Sequence, residues 1–446
     1  MDRLLHVMNT FGILIAISYI YTLYEEVHMR RILTGLLLCV VLAATVWAGA
    51  QKEEENKVEI FSWWTAGGEA EGLEALIEVF NQKYPEIEVI NATVAGGAGS
   101  NAKAVLATRM QGGNPPDSFQ VHAGHELIDT WVVAGAMEPI TFIFEENGFL
   151  DKYPKGVIDI ISYQGEIYSV PVNIHRSNVL WYNKKVFDQN GLTPPRTFDE
   201  FFSVAETLAD KGITPLALGD NGIWASTHLL ESVLAGSLGP ERYRGLWNGT
   251  TRWDGAETKR ALTTFVRMLE YVNSDHAALS WDAAAQYVAD GKAAMTIMGD
   301  WAHGYFKSKG LKVGVDYGWS PSPSTSGMFI MLSDSFGLPK GAPHRDAAIK
   351  WLTVCASREG QDAFNPKKGS IPSRIDGDRS LYDEYLQAAM DDFASNEIIP
   401  SVAHGAAASE AWVTELNDVV SVLVADRDVD KAAAQLQKIA DKYAKK

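Results

Sequence analysis

Val58-Glu59-Ile60-Phe61-Ser62-Trp63-Trp64-Thr65-Ala66-Gly67-Gly68, followed by Leu73-Glu74-Ala75-Leu76-Ile77-Glu78-Val79-Phe80-Asn81-Gln82-Lys83-Tyr84-Pro85-Glu86-Ile87-Glu88-Val89-Ile90, is the stretch that decides the fold. Residues 58–63 alternate in the manner of a strand. Gly67 and Gly68 interrupt them. Leu73, Leu76, Ile77 and Phe80 then recur at helical spacing across 69–84, and Pro85 ends that helix. Residues 87–90 form a second strand. Strand, helix and strand in one short run imply a parallel pair with a right-handed crossover.

The alternation continues along the chain. Helices are expected over 101–110, 198–211, 257–273, 281–290, 345–361 and 429–443. Strands are expected over 118–121, 167–170, 179–182, 293–297 and 328–331. This pattern predicts an α/β architecture, and no internal repeat or low-complexity tract interrupts it. With 446 residues, 46% hydrophobic and 21% charged, the chain is globular and long enough for two to three domains. A net charge of −17 argues against a nucleic-acid partner, since phosphate neutralisation needs clustered Lys and Arg, and against anionic lipid surfaces.

The first fifty residues read differently. Arg30 and Arg31 precede an apolar run over 32–47, and Ala48-Gly49-Ala50 follows as a small-x-small cleavage pattern. This is a signal peptide starting at Met29 and cleaved after Ala50. The alternative is a retained anchor, for which the run is short against the roughly 20 residues of a membrane span. Residues 1–28, with a second apolar run over 11–20, read as sequence upstream of the true start, the alternative being a translated anchor. Cys39 follows Leu38, where a lipoprotein signal needs a small residue, so no lipid anchor is expected. The cleaved chain keeps only Cys355, which excludes an intramolecular disulfide. That residue lies in the apolar run 347–355 and is expected in the core.

Two patterns imitate other chemistries. Gly97-Ala98-Gly99-Ser100-Asn101-Ala102 resembles a dinucleotide fingerprint, with Asp117 at the right distance. Asp117 follows Pro115-Pro116 and precedes a strand instead of ending one, so a ligand-cradling or helix-capping turn is the better reading. His122-x-x-His125 supplies two metal ligands without a nearby third or any Cys, so zinc is not expected. His125 should start the next helix and face solvent. No Gly-x-Ser-x-Gly, phosphate loop or His-Glu-x-x-His is present.

Family likeness enters through the order of several motifs. Glu59-Ile60-Phe61-Ser62-Trp63-Trp64-Thr65 and the run 73–89 come first, then Gly112-Gly113-Asn114-Pro115-Pro116-Asp117-Ser118-Phe119-Gln120 and Gly165-Glu166-Ile167-Tyr168-Ser169-Val170-Pro171. Gly291-Lys292-Ala293-Ala294-Met295-Thr296-Ile297-Met298-Gly299-Asp300-Trp301 and Leu338-Pro339-Lys340-Gly341-Ala342-Pro343 complete the series. Together they resemble an extracellular solute-binding protein of an ABC importer, of the family 1 type. Phe119-Gln120-Val121-His122-Ala123-Gly124, Pro171-Val172-Asn173-Ile174-His175-Arg176, Leu332-Ser333-Asp334-Ser335-Phe336-Gly337 and Asn365-Pro366-Lys367-Lys368-Gly369 are closest to glucose- and galactose-binding members. The resemblance implies a type II periplasmic-binding-protein fold: two lobes, each a mostly parallel sheet flanked by helices, and a hinge crossed repeatedly. Lobe one would be 57–174 plus 332–372, and lobe two 175–331 plus 373–446. It further implies a periplasmic or extracellular monomer that needs no cofactor, with a monosaccharide ligand and membrane permease partners.

A sugar presents hydroxyls and apolar C–H faces, so its site needs planar polar groups and aromatic rings. Trp63 and Trp64 end the first strand, at the edge where α/β sheets bind ligands; the resemblance favours Trp64 as the ring in the cleft. Glu69 should sit in the first helical turn, with Glu71 as its rival. Gln120 and His122 project from one face of a strand, and the resemblance makes both sugar ligands. It also implicates Trp281 and Trp301, and less directly Trp224 in the loop 219–225. Asp334 stands at the second crossover, Lys368 in a loop of lobe one with Lys367 as its rival, and His404 in lobe two. Asn173, His175 and Arg176, at the first crossover, read as hinge or supporting groups. Within the receptor class, extra room in the loop 219–228 would favour a disaccharide or longer sugar. Two other classes stay open at this level: Glu69 with Asp334 could form the carboxylate pair of a carbohydrate-active enzyme, and a metal-binding receptor is the third class.

Overall fold

The computed structural model describes residues 56–444. The expected signal peptide, its cleavage point and the start at Met29 lie outside the described residues. The opening stretch folds as its periodicity predicts. Strand β1 (Lys57–Ser62) sends Val58, Ile60 and Phe61 into the core, the helix Gly67–Lys83 buries Leu73, Leu76 and Phe80, and strand β2 (Glu88–Thr93) follows Pro85. The remaining strands are β3 (Ser118–His122), β4 (Ser162–Tyr163), β5 (Glu166–Ile167), β6 (Ser169–Pro171), β7 (His175–Arg176), β8 (Val179–Asn183) and β9 (Thr214–Leu216). After them come β10 (Ala293–Ile297), β11 (Tyr317–Pro321), β12 (Met328–Leu332), β13 (Asp334–Gly337) and β14 (Glu397–Pro400).

Two sheets carry the architecture, one in the order β2-β1-β3-β13-β6 and the other in the order β11-β8-β10-β9. In the first, β1, β3 and β6 run one way and β13 the other. In the second, β9, β10 and β11 run one way and β8 the other. Each reversed strand is the one the chain enters directly after leaving the other sheet. The parallel strands end at the edge where the chain crosses, so a segment arriving across that edge must run against them. The crossing segments also pair with each other: β7 lies antiparallel to the end of β12, His175 opposite Leu332, in a small sheet completed by β14. A single residue, Ser333, separates β12 from β13. This is the two-lobe, repeatedly crossed α/β fold that the sequence predicts.

The helix Val429–Tyr443 and strand β10 match their expected bounds. Other elements differ, and the helix expected over 257–273 ends at Met268. The helix expected over 345–361 is two, Arg345–Ala356 and Arg358–Lys368. Ser357 leaves helical geometry at ψ 157°, and its Oγ accepts from Gly360 N as the cap of the second helix. Lys368 therefore ends a helix instead of standing in a loop, with Gly369 at φ +85° as the left-handed cap. The strand expected over 167–170 divides at Tyr168 between β5 and β6. Trp224 opens a helix, Trp224–Asn248, that spacing did not reveal, instead of ending a loop. Every residue from Trp224 to Ala235 in it is buried, so it shows no polar stripe. Cys355 is free and buried. No helix of the described residues is long and apolar enough to cross a membrane.

Candidate ligand-binding site

The sheet edges determine which side chains meet. In the first sheet β1 delivers Trp63 and Trp64 just past its end, and β3 ends at His122 directly opposite Asp334, the first residue of β13. In the second, the neighbouring parallel strands β9 and β10 lead into Trp224 and Trp301, each the first residue of a helix. Ligands of α/β sheets bind outside such carboxyl ends.

Asp334 is the hub. Gln120 Nε2 donates to its Oδ1 at 2.8 Å and Asn173 Nδ2 to its Oδ2 at 2.9 Å, while the Asp334 N–H donates to Asn173 Oδ1 at 2.8 Å. His175 Nε2 lies 3.4 Å from Oδ2, and His122 Nε2 lies 3.8 Å from Oδ1. Burial alone would raise this carboxyl; His175, Lys368 and His122 outweigh it and hold the group far below the ordinary carboxylate range. A general acid for glycoside cleavage needs the opposite shift.

Carboxylates also anchor the histidines. Asp300 bonds His175 Nδ1 and accepts from Arg176 N at 3.0 Å. Burial opposes the charge on His175, yet Asp300 beside it leaves the ring more basic than a free imidazole. Glu126 Oε2 takes His122 Nδ1 at 2.7 Å and Lys103 Nζ at 2.8 Å. Burial would raise Glu126, but Lys103 and His122 bring it down to about 2. Lys368 Nζ donates to Glu69 Oε1 at 2.9 Å and lies 5.5 Å from the Trp64 ring and 5.9 Å from the Trp301 ring. Trp301 approaches His404 at 5.0 Å and His175 at 5.3 Å between centroids, and Trp63 approaches His122 at 5.0 Å.

These groups enclose an inner chamber of about 20 Å³, room for about one water. Trp63, Trp64, Glu69, His122, His175, Trp224, Trp281, Trp301, Asp334, Lys368 and His404 all line it. An outer chamber of about 420 Å³ shares Trp63, Glu69, Gly97, Trp224 and Trp281 with it and adds Asn221 and Gly222.

Most of the residues singled out in the sequence therefore converge. Trp63 lines both chambers, whereas Trp64 lines only the inner one, packed against Phe336 and Phe364. Both rings therefore line the inner chamber, the expected Trp64 beside Lys368 and Trp63 beside His122. Trp224, placed in a loop from sequence, is central. Gln120 and Asn173 act on Asp334 without lining the chamber. Arg176 points elsewhere, to Asp392 and the Phe329 ring. The rivals Glu71 and Lys367 are exposed. His125 is exposed and pairs with Asp129.

Sequence reasoning missed Glu126, Asp300, His228 and Glu231. Glu126 carried one signal, its spacing four residues after His122. Among the described residues one group has metal-ligand character: His228, Glu231 and His404, with ligand atoms within 4.8 Å of one another. The Glu231 carboxylate is already occupied by Ser177, Ser401, Val402 N and Ala403 N. An ion would have to displace these donors.

Comparison with known proteins adds three findings. The sequence pattern of the bacterial extracellular solute-binding proteins matches residues 66–362. An uncharacterised ABC transporter extracellular-binding protein of Pyrococcus horikoshii is 42% identical over 92% of this chain and 94% of its own length, and a probable sugar-binding periplasmic protein of Mesorhizobium japonicum is 31% identical over 93% and 99%. The solved structure of a chitin oligosaccharide binding protein superposes with a TM-score of 0.76 at 22% identity, covering 87% of this chain and 99% of that one, which speaks to the fold.

Proposed function

This chain belongs to the bacterial extracellular solute-binding proteins, and on that premise we propose that it is an exported sugar receptor. It captures a monosaccharide, glucose or galactose, between two lobes and delivers it to the permease of an ABC importer. The observation that carries this reading is the inner chamber, where Trp63, Trp224 and Trp301 stand beside Asp334, Lys368 and His404. Rings suit the C–H faces of a pyranose, and charged groups suit its hydroxyls. Lobe one comprises 57–174 and 332–372, and lobe two 175–331 and 373–446. In support, all strands of the five-stranded sheet fall in the first set and all strands of the four-stranded sheet in the second.

The protein works by binding alone. With the inner chamber nearly filled, its charged groups are engaged by protein partners: Lys368 donates to Glu69, and Asp334 accepts from Gln120. A sugar enters when the lobes part, replaces part of these contacts, and shifts an existing open–closed equilibrium toward closure. The closed form presents both lobe surfaces to the permease. Export through the signal peptide at 29–50 places this monomeric receptor outside the membrane, with no cofactor.

A second reading has its own observation. The outer chamber's volume lies in the range of small-molecule sites, about 300–1,000 Å³, and Asn221 and Gly222 supply the room in the 219–228 loop that a disaccharide or longer sugar requires. Titration of residues 51–446, unfolded and refolded to strip carried ligand, separates the readings by tryptophan fluorescence. Saturable change with glucose or galactose, the sugar recovered unconsumed, is expected. Response to maltose or longer sugars alone selects the second reading. Consumption of sugar, or silence confirmed by an absent thermal shift, overturns both.

A further inference from the structure

Glu231 lies in the buried first half of the helix Trp224–Asn248 and has no Lys or Arg partner among the described residues. Two serines connect it to two imidazoles. Ser401 Oγ is 2.9 Å from Glu231 Oε2 and 2.8 Å from His404 Nδ1. Ser177 Oγ bonds Glu231 Oε1 and lies 3.2 Å from His228 Nδ1. A hydroxyl has one hydrogen to give. An ionised carboxylate can only accept, so each serine must donate to Glu231 and accept from its histidine. Both imidazole protons then sit on Nδ1. That leaves His404 Nε2 as a lone pair at the inner chamber, and His228 Nε2 as a buried acceptor without a partner.

We propose that Glu231 is a positioning residue of the sugar site: through Ser401 it sets which nitrogen of His404 carries the proton, making His404 a hydrogen-bond acceptor toward the ligand. The inference rests on the receptor reading for the word ligand, but the proton arrangement stands apart from it. The same carboxylate holds the turn that carries His404, accepting from Val402 N at 2.8 Å and Ala403 N at 3.1 Å. It also reaches Ser177 on the crossing segment, so one group ties the crossing to the histidine.

The arrangement reverses on protonation. Burial pushes the Glu231 carboxyl up to about 7 despite the hydrogen bonds it accepts from Ser177, Ala403, Ser401 and Val402. The titratable neighbours are His228 and Tyr243 on its own helix and His404 across from it. His404 in turn faces His228, His122, Lys103 and Asp334; burial first, then His228, His122 and Lys103, hold its ring well below the ordinary imidazole value against the opposing pull of Asp334. Below about pH 7 a protonated Glu231 becomes a donor. Ser401 is then free to donate to His404 Nδ1, which moves the imidazole proton to Nε2 and turns an acceptor into a donor.

Nitrogen-15 NMR of the histidine side chains in the whole exported chain tests this directly, with and without glucose. At pH 8.5 wild-type His404 should carry its proton on Nδ1. Glu231→Gln, whose amide can donate, and Ser401→Ala should both lose that preference and bind sugar about tenfold more weakly, one hydrogen bond's worth. Wild-type affinity should fall as pH drops through about 7, and the inflection should vanish in Glu231→Gln. A wild-type proton on Nε2 at pH 8.5, or variants with unchanged tautomer and affinity, overturns the proposal. If the variants do not fold, the wild-type tautomer and its pH dependence still decide it. If wild type shows the Nδ1 tautomer yet binds no sugar of the panel, the receptor reading fails and the proton arrangement survives.

Discussion

Asp334→Ala is expected to abolish sugar capture, weakening it more than a hundredfold, and to lower the stability of the fold by about 3–5 kcal/mol, the range for stripping one partner from a buried ionic cluster. The size follows from what is left behind. Gln120 Nε2 and Asn173 Nδ2 would each lose an acceptor in a buried site, and His175 would keep only Asp300. Asp334→Asn should be almost as damaging although it keeps the volume, because an amide oxygen can serve only one of the two donors well while its NH₂ confronts the other. A titration with glucose and a urea midpoint measure both effects; binding within tenfold of wild type would remove Asp334 from its central place. The pH dependence has a definite sign. The folded-state carboxyl is held below its unfolded value of about 3.9. Its contribution is therefore complete above about pH 4 and is lost progressively as the pH falls below that, so both variants should flatten the acid limb of the stability curve.

What could be read from sequence divides along a physical line. Elements with one buried and one wet face announce their period: the helix Gly67–Lys83, the helix Val429–Tyr443 and strand β1. The helix Trp224–Asn248 did not, because burial on every face of its first half, Trp224 to Ala235, erases the stripe there, and the polar residues Ser226, His228 and Glu231 look like loop chemistry. Ser357 hid inside an apparently continuous helical pattern because a capping serine and a solvent-facing serine have the same one-letter signature. The chamber residues were legible where they stand at or just beyond a strand terminus or open a helix, as Trp63, His122, Asp334 and Trp301 do. The groups that hold them were not. Asp300 meets His175 from 125 residues away, and Glu231 meets Ser401 from 170, distances over which a single sequence carries no pairing signal. Glu126 is the instructive middle case, visible at helical spacing from His122 but indistinguishable there from an ordinary surface acid.

Gly304→Ala is expected to weaken sugar binding ten- to a hundredfold while leaving each lobe as stable as before or slightly more so. Gly304 lies in the helix Trp301–Ser308, which follows β10, and its backbone rests on the end of the helix that carries Lys368. A Cβ at Gly304 would stand 2.3 Å from Lys368 O and 2.8 Å from its carbonyl carbon. Gly68 meets the same surface from the helix Gly67–Lys83, where a Cβ would fall 2.5 Å from Lys367 O and 2.8 Å from Gly304 Cα. These atoms are backbone and cannot rotate away, so the added methyl must push the two segments apart, an overpacking of about 1–3 kcal/mol. If the contact joins two lobes that open and close, the penalty falls on the closed form alone and appears as lost affinity, tenfold for each 1.4 kcal/mol. If the contact belongs to one rigid core, the same penalty appears as lost stability. Local helix preference runs the other way, since alanine in a helix interior is favoured over glycine by about 1 kcal/mol, so a fall in affinity without a fall in melting temperature can come only from the contact. Gly156→Ala is the control: its helix is short, nothing lies within 4 Å of the added Cβ, and both affinity and melting temperature should hold. Fluorescence titration and a thermal melt on the three proteins decide it, and small-angle scattering with saturating glucose should show Gly304→Ala more extended than wild type. Binding within twofold of wild type would mean that the Gly68–Gly304 contact is no part of closure.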